Sequence, residues 1–298
     1  MRALHGAAIA ALLALILAPG AARAQEAVDP RSLMTTPVWL VDGDRPVSQG
    51  TGFFFGLTGA SGAVDIVFLV TNYHVVTGHA PFVAAPPAGD RVRIIIHEDR
   101  FDPQRVRQVE LPLYDDRGRP AWVESDAHEG ADLVLLPLPP VVYRNAQLPV
   151  FTEDHTRVDI RIRPSSGATL LGYPYGFYDT KNFLPIWKTG HVASEPDVDF
   201  EGRPAFLVDV SAFPGMSGAP VLAVANGVYE ARDGSVRTGR VLRLMGIFSA
   251  MPAVRHPSPD NPLGAADRPG GVETSLELGY VWKASLIADL ARRYRSGR

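Results

Sequence analysis

The sequence predicts an all-β protein made of two packed six-stranded antiparallel barrels with a helix at the C-terminal end. Three observations support this class. Short runs of β-branched, aromatic and aliphatic residues recur along the chain and are broken by Gly, Pro and Asp. The runs form two sets of about six, with a connector at residues 139–165 between them. The only clear helical periodicity comes at the end, on a face formed by Ile287, Leu290, Ala291 and Tyr294.

The first 24 residues have the features of a secretory signal peptide. Arg2 precedes an apolar run at residues 7–18, and a small-x-small site ends at Ala24. The run is too short to span a bilayer, and the absence of cysteine excludes a lipoprotein anchor at that site. We therefore expect cleavage after Ala24, no membrane anchor and a secreted or periplasmic protein, with residues 25–36 as a loose leader.

The composition narrows the chemistry further. The apolar share of 46% and the charged share of 20% are typical of a globular domain. The net charge of −3 gives no reason to expect nucleic acid or a membrane as a partner. Without cysteine, no thiol can act as a nucleophile or a metal ligand. Since His, Asp and Glu do not recur at ligand spacing either, we expect no metal and no cofactor.

The two barrels are predicted at residues 37–150 and, together with the helix, at residues 151–298. Candidate strands of the first barrel are Val38–Val41, Gly52–Leu57, Asp65–Thr71, Arg91–His97, Arg105–Leu113 and Asp132–Leu138. Candidate strands of the second are Thr169–Gly172, Ile186–Ser194, Ala205–Val210, Ala219–Val224, Val241–Ala250 and Leu276–Trp282. We expect a hairpin tip at Asp233–Gly234. Residues 251–272, with five Pro and three Gly, are expected to form a long surface loop.

Ser217 lies between two glycines in the stretch Phe213–Val221. Gly215 and Gly218 can adopt backbone conformations that a Cβ forbids, and they allow another backbone to approach closely. A reactive serine needs such a setting, with an exposed hydroxyl and free backbone N–H groups directed at the same point. Taken alone, the stretch is equally consistent with a Gly-Pro turn between two strands.

A serine hydroxyl needs a base within hydrogen-bonding reach and a group that orients the base. Of the eight histidines, His74 is best placed, because it follows an apolar strand where a turn begins. Asp132 opens the most apolar run of the first half, where a partly desolvated carboxylate needs a partner. The alternatives are a histidine without chemistry and a strand-edge aspartate that caps a turn. Weaker rivals for the carboxylate lie in loops, at Asp115, Asp116 and Asp126.

Three segments in the order His, Asp, Ser resemble the trypsin/chymotrypsin-like serine proteases, especially bacterial members such as the HtrA-like proteases and glutamyl endopeptidases. The resemblance is carried by Gly50–Phe54 with Thr71–Val76, by Ala131–Leu136 and by Pro214–Val221. It extends over residues 37–296. It implies that the two predicted barrels are those of the chymotrypsin-like fold.

The resemblance also implies a role for each matching residue. Ser217 would attack the scissile carbonyl, His74 would take and later return its proton, and Asp132 would hold the histidine. The backbone N–H groups of Gly215 and Ser217 would form the oxyanion hole. Ser249 would support the buried Asp132. Substrate would be bound by Ser211, Ser249, Ala250 and Met251.

Departures from the family pattern refine this expectation. Met216 stands where animal digestive members have an aspartate that receives a newly cut N-terminus, so we expect that activation switch to be absent. Phe248 stands where glutamyl endopeptidases have a histidine, which argues against glutamate specificity. An uncharged pocket floor at Ser211, with Ala250 nearby, favours cleavage after small or apolar residues. The residues after Ser217 are too few for the peptide-binding module of HtrA-like proteins, so we expect a monomer without it.

Two other functions are consistent with parts of the chain. An α/β-hydrolase esterase would need Gly-x-Ser-x-Gly, but Ala219 occupies the last position and the strands do not alternate with helices. A catalytically silent protease-fold protein would bind peptides or a cell-envelope partner without cleaving them. The expected function is an exported serine endopeptidase acting on proteins or peptides, and the silent binding protein is the alternative.

Overall fold

Two antiparallel sheets dominate the computed structural model, which describes residues 28–297 except 82, 84, 126, 129, 145, 147, 252 and 257–271. The predicted signal peptide at residues 1–24 lies outside the described residues, as does much of the predicted loop at 251–272. The all-β class, with two sheets and a helix at the C-terminal end, is confirmed.

The first sheet is built from residues 35–152. Its strands are β1 (Thr35–Asp42), β2 (Arg45–Thr58), β3 (Val64–Thr71), β4 (Arg91–His97), β5 (Val106–Pro112), β6 (Val134–Pro137) and β7 (Phe151–Thr152). Antiparallel ladders join them in the order β5-β4-β1-β2-β3-β6, and β7 pairs with β2 in parallel. Because β7 belongs to this sheet, the first half extends two residues beyond the boundary predicted at residue 150.

The second sheet closes on itself as a six-stranded barrel in the order β10-β15-β12-β11-β8-β9. Its strands are β8 (Gly167–Gly172), β9 (Ile186–Val192), β10 (Ala205–Asp209), β11 (Pro220–Glu230), β12 (Val236–Phe248) and β15 (Leu278–Lys283). The long hairpin of β11 and β12 turns at residues 231–235, around the predicted tip. There Gly234 has φ +84°, a left-handed conformation that favours glycine.

The described part of the chain contains few and mostly short α-helices. They are α1 (Pro30–Leu33), α2 (Tyr73–Thr77), α3 (Pro140–Tyr143), α4 (Glu153–Thr156) and α5 (Ala284–Ser296). On α5 the predicted apolar face is buried at Ile287, Leu290 and Ala291. Tyr294 is 41% exposed, and its ring packs edge-on against Phe68 with the centroids 5.3 Å apart.

Some elements lie in segments for which no element was predicted. The predicted connector at residues 139–165 contains α3, β7 and α4. The predicted loop at 251–272 begins and ends in two paired strands, β13 (Ala253–His256) and β14 (Val272–Ser275). These elements have two to four residues each, too few to show a periodicity in the sequence.

Among the residues that the structure describes, the buried apolar side chains form three clusters, and one of them joins the two halves. This shared cluster combines Phe53 and Phe68 of the first sheet with Leu222 and Trp282 of the second, and Leu290 of α5 packs into it. The other two clusters lie within the first sheet and within the second barrel. A common core of this kind fixes the halves against each other, and the candidate site lies where they meet.

Candidate active site

His74 lies in the first turn of α2, immediately after β3 ends at Thr71. Val75 and Val76 are buried and anchor this short helix in the core of the first sheet. Gly78 ends the helix in a left-handed conformation, and its N–H donates to the carbonyl of His74. The strand end and the anchored turn hold the backbone of His74, while its ring stays half-exposed.

Asp132 lies just before β6 and is only 7% exposed. One carboxylate oxygen is 2.6 Å from His74 Nδ1 and accepts a hydrogen bond from Ser249 Oγ at 2.5 Å. The other oxygen accepts the backbone N–H of His74 at 3.0 Å. The carboxylate therefore has three polar partners, as a buried charge requires.

These partners decide the protonation state of Asp132. Burial by itself would raise the pKa of this carboxyl group. The hydrogen bond and the charge interaction with His74 oppose that effect, together with the Ser249 hydroxyl and the His74 backbone N–H. Together these effects hold the pKa of Asp132 below its ordinary value, so the carboxyl group is an anion at neutral pH.

Ser249 connects the Asp132 carboxylate to Ser217 through an irregularity at the end of β12. Its N–H donates to Tyr280 O at 3.0 Å, and Tyr280 N–H donates to Ala250 O at 2.9 Å. Ser249 and Ala250 thus lie opposite the single residue Tyr280, which is the arrangement of a β-bulge. A bulge changes the direction of a backbone group. The carbonyl of Ser249 accepts the hydroxyl of Ser217 at 2.9 Å.

Ser217 is presented by two consecutive tight turns. In the first, Met216 N–H donates to Phe213 O at 3.0 Å, and Gly215 has φ +94°. This geometry, with Pro214 before the glycine, matches a type II turn. In the second turn, the N–H of residue 219 donates to Met216 O at 2.9 Å. Each turn needs a positive φ beside Ser217, which explains the two flanking glycines.

The first turn also orients the candidate oxyanion hole. Pro214 O accepts the N–H of Tyr175 at 2.6 Å. Because the C=O and N–H of a trans peptide point in opposite directions, the N–H of Gly215 is directed away from Tyr175. Within the described residues, the N–H groups of Gly215 and Ser217 donate no hydrogen bond. Both are therefore free to bind an oxyanion.

The structure brings some predicted residues together and leaves others apart. His74, Asp132 and Ser249 form one hydrogen-bonded group. The Ser217 hydroxyl reaches this group through the Ser249 carbonyl, and among the described hydrogen bonds none joins it to the His74 ring. Ser211 and Ala250 are exposed and Met251 is half-buried, next to Ser249. Met216, in contrast, is fully buried in the core of the second barrel, a position in which an unpaired carboxylate would be costly.

Three residues contribute to the site without having been assigned a role from the sequence. Asn72 donates its side-chain N–H to Asp132 O at 2.5 Å. Thr51 donates its N–H to Ser217 O at 2.8 Å and its hydroxyl to Gly215 O at 2.7 Å. Tyr175 holds the peptide before Gly215, as described above. Asn72 and Thr51 lie inside the motifs that carry the resemblance, whereas Tyr175 lies outside them, in the Gly-Tyr-Pro-Tyr-Gly run at residues 172–176.

No group of three or more His, Asp or Glu side chains suited to a metal ion occurs among the described residues. Within the same residues, none of the helices has the length and apolar character needed to cross a membrane.

The profile of the trypsin-like peptidase domain matches residues 50–229, more than half of the chain. A search of curated proteins found no match. The chain is similar to the solved structure of the serine endoprotease from Yersinia pestis, with 16% identity over 90% of this chain and a TM-score of 0.44. It spans 65% of the length of that protein.

Two further solved structures show lower similarity. The Rv3671c protease in its inactive form is 15% identical, with coverage of 88% of this chain and 89% of that one and a TM-score of 0.40. A mutant of the tobacco etch virus protease is 13% identical, with coverage of 86% and 75% and a TM-score of 0.40. Because the domain profile covers more than half of the chain, the protein belongs to the trypsin-like peptidase family.

Proposed function

We propose that this protein is an exported serine endopeptidase that uses Ser217 as nucleophile, His74 as base and Asp132 as orienting acid. One observation carries the proposal. Ser249 accepts the Ser217 hydroxyl on its carbonyl and donates its own hydroxyl to the Asp132 carboxylate, which in turn is bound to His74 Nδ1. Hydrogen bonds through Ser249 thus connect three residues that are far apart in the sequence. If the segment around Ser217 were only a turn between two strands, no such connection would be needed.

The tautomer of His74 follows from its contact with Asp132. Since the carboxylate is an anion that can only accept, Nδ1 carries the proton of the neutral ring. Nε2 then has the free lone pair that a general base needs. To reach it, the Ser217 hydroxyl rotates about χ1 away from Ser249 O, a change between staggered rotamers. The released carbonyl of Ser249 becomes free to accept a backbone N–H of the substrate.

Peptide hydrolysis then proceeds through an acyl-enzyme. The oxygen of Ser217 attacks the scissile carbonyl while its proton passes to His74. The N–H groups of Gly215 and Ser217 stabilise the oxyanion, and one such donor is worth about 3 kcal/mol in the transition state. The proton on His74 goes to the leaving amine. Water then attacks the ester and repeats the same proton transfers in the deacylation step.

A fluorophosphonate probe tests the nucleophile directly. We expect the folded protein to be labelled once per chain, and labelling to disappear in Ser217→Ala and to fall strongly in His74→Ala. The catalytically silent binding protein is the second candidate, because the Ser217 hydroxyl bonds to Ser249 O and not to the histidine. Folded protein that the probe does not label would support this second candidate and contradict the first.

The proposed specificity is for a small or apolar residue before the cleaved bond. It is supported by the uncharged residues at the expected pocket, Ser211 and Ala250, and by the apolar side chain of Met251. No acidic side chain stands at these positions to bind Arg or Lys. Matched peptides with Ala, Leu, Phe, Arg or Glu before the scissile bond test the proposal. A higher kcat/KM for the Arg or Glu peptide than for the apolar ones would overturn it.

Export is proposed from the N-terminal sequence. The charged start, the short apolar run and the small-x-small site at residues 22–24 support cleavage after Ala24. Expression of the full chain in a bacterium, followed by fractionation and mass spectrometry of the N-terminus, tests this. The expected product is a periplasmic or secreted chain that begins at Gln25. An intact N-terminus in the cytoplasmic fraction would refute the proposal.

A further inference from the structure

The side chain of Thr51 joins the two halves of the molecule next to the loop that carries Ser217. Thr51 lies on β2 of the first sheet and is fully buried. Its hydroxyl donates to Gly215 O at 2.7 Å and accepts the N–H of Tyr173 at 3.2 Å. Since the N–H of Tyr173 can only donate, the hydroxyl proton is directed at Gly215 O. One buried side-chain oxygen of the first half thus connects two backbone segments of the second.

The Thr51 hydroxyl holds the middle one of three consecutive peptides in this loop. The outer two are held by backbone groups, because Pro214 O and Met216 O accept N–H groups at 2.6 and 2.9 Å. Among the described hydrogen bonds, Gly215 O accepts only the hydroxyl of Thr51. The outer peptides carry the N–H groups of Gly215 and Ser217, the two candidate oxyanion donors. The position of the middle peptide therefore sets how these donors are placed relative to each other.

Thr51 is also tied to the strand that leads to the base. Thr71, the last residue of β3, donates its hydroxyl to Thr51 O at 2.7 Å, and His74 follows three residues later. The N–H of Thr51 donates to Ser217 O at 2.8 Å. The histidine backbone and the loop with the oxyanion donors are thus both held from one residue of β2. Such support matters, because donors stabilise an oxyanion only within a narrow range of distances.

We propose that the Thr51 hydroxyl is a positioning group for the oxyanion hole, which it keeps aligned with His74 across the boundary between the halves. The inference rests on the proposed function. The hydroxyl is buried and both of its hydrogen bonds are made to backbone. It therefore acts on the reaction only through the N–H groups of Gly215 and Ser217. These donors bind a charge that develops in the transition state, so their misalignment lowers kcat and leaves substrate binding unchanged.

A purely structural role of Thr51 is the alternative, and Thr36 provides the matched control for it. Thr36 is also a fully buried threonine of the first sheet. Its hydroxyl donates to Ile95 O at 2.8 Å and accepts the N–H of Ile95 at 2.9 Å. None of its described hydrogen bonds involves the loop around Ser217 or the helix of His74. Thr36→Val thus removes a comparable buried hydroxyl without changing the support of the site.

The kinetic constants of Thr51→Val separate the two roles. Valine keeps the branched shape of the side chain and removes the hydroxyl. We expect kcat for a peptide substrate to fall about tenfold to a hundredfold, because a donor lost outright costs more than one that is misaligned. KM should stay within about twofold of the wild-type value. Thr51→Ser keeps the hydroxyl and Thr36→Val leaves the loop untouched, so both should retain a kcat within about threefold of wild type.

A peptidyl trifluoromethyl ketone probes the oxyanion hole itself. Ser217 Oγ bonds to the ketone carbon, its proton passes to His74, and the carbonyl oxygen becomes the oxyanion of a hemiketal. The fluorine NMR signal then reports the pH at which this oxygen is protonated. Because misaligned donors stabilise the anion less, the pKa of the hemiketal oxygen should be higher in Thr51→Val than in wild type. It should not change in Thr51→Ser or Thr36→Val.

The outcomes distinguish this inference from the proposed function. Wild-type kcat and an unchanged hemiketal pKa in folded Thr51→Val would overturn the inference alone, as would an equal loss of kcat in Thr36→Val. If Thr51→Val does not fold, Thr51→Cys decides, since it keeps a weak donor of similar size and should show a smaller loss of kcat. An unchanged kcat in Thr51→Cys would then overturn the inference. Folded wild-type protein that forms no hemiketal and reacts with no fluorophosphonate overturns the proposed function and this inference with it.

Discussion

At the scale of single residues, Gly218 shows how closely the loop that carries Ser217 is packed. Its φ is +92°, and a Cβ at this position would lie 1.8 Å from Thr51 O and 2.7 Å from Thr71 Oγ1. The first contact is with backbone, which cannot move aside without breaking the pairing of β2. The two halves of the molecule thus touch here without room for a methyl group.

Gly218→Ala should therefore cost far more stability than the same change at Gly62. Gly62 has φ +81° in an open turn, where a Cβ would meet nothing within 4 Å. Alanine at Gly62 should cost about 1–2 kcal/mol, the ordinary price of a left-handed conformation. Alanine at Gly218 should cost more than about 4 kcal/mol, because the overlap adds to the strain. Urea denaturation of both variants checks this, and equal losses would contradict it.

Ser249→Ala tests the support of the buried carboxylate. The variant loses a hydrogen bond to an anion, which is worth about 1.5–3 kcal/mol, so kcat/KM should fall about tenfold to a hundredfold. Ser194→Ala is the matched control, since it loses a serine hydroxyl that accepts the Leu207 N–H at 2.8 Å. It should lower the free energy of unfolding slightly and leave kcat/KM unchanged. Similar kcat/KM losses in the two variants would show that Ser249 has no special role.

The candidate residues of the site could be predicted from the sequence, whereas the way in which they are connected could not. His74, Asp132 and Ser217 are marked by their residue types, their order and the strand or turn that carries each. The path through the Ser249 carbonyl could not be predicted, because it depends on a bulge opposite Tyr280. A bulge is a property of two paired strands, and a single stretch of sequence gives no sign of it.

At the scale of elements, His97 connects β4 to a segment of the second half. It is buried, and its Nε2 lies 2.9 Å from Asn182 O, so the neutral ring donates a hydrogen bond to that carbonyl. Burial lowers the pKa of His97, and the contact with the Asn182 carbonyl opposes this only in part. The folded protein thus keeps this histidine neutral at a pH where an unfolded chain would protonate it.

The free energy of unfolding should fall as the solution becomes acidic, because the buried ring of His97 resists protonation. Above the unfolded value of about 6.5 neither state is protonated. Below it the unfolded chain binds a proton that the folded chain excludes, so the free energy of unfolding falls until the pH reaches the lower folded-state pKa. In His97→Gln, which keeps a donor for Asn182 O, this decline between pH 7.5 and roughly 5.5 should be smaller.

Urea denaturation of the two proteins across that range measures the difference. The comparison at the alkaline end is the internal control, since it reports the change in packing without any proton. His155 adds a similar decline in both proteins, because burial lowers its pKa as well. Parallel curves for wild type and His97→Gln would mean that His97 does not contribute to the pH dependence.

Length decided which elements could be predicted from the sequence. The pattern on α5 extends over eight residues and the hairpin tip has a characteristic Asp-Gly pair, and both are found in the structure. The two residues of β7 and the four of β13 are too short for any pattern. The parallel pairing of β7 with β2 also joins positions almost 100 residues apart, which only the tertiary fold specifies.

At the scale of the whole molecule, the site exists only when the two halves are docked. His74 and Asp132 lie next to strands of the first sheet, whereas Ser217 and Ser249 lie next to strands of the second barrel. The shared core holds this arrangement through side chains of both sheets and of α5. We therefore expect the described domain to unfold as one cooperative unit, and activity to be lost in the same transition.

Ile287→Ala should reveal this coupling. Ile287 is fully buried in the shared core on α5, and truncation of a buried isoleucine costs about 2–5 kcal/mol. If the halves unfold together, amide hydrogen exchange measured in EX2 conditions should accelerate equally in β3 of the first sheet and in β11 of the second barrel. Val228→Ala, at an exposed position, is the control and should change neither. Faster exchange in β11 alone would show that the second barrel unfolds separately, and the shared core would then not be what couples the halves.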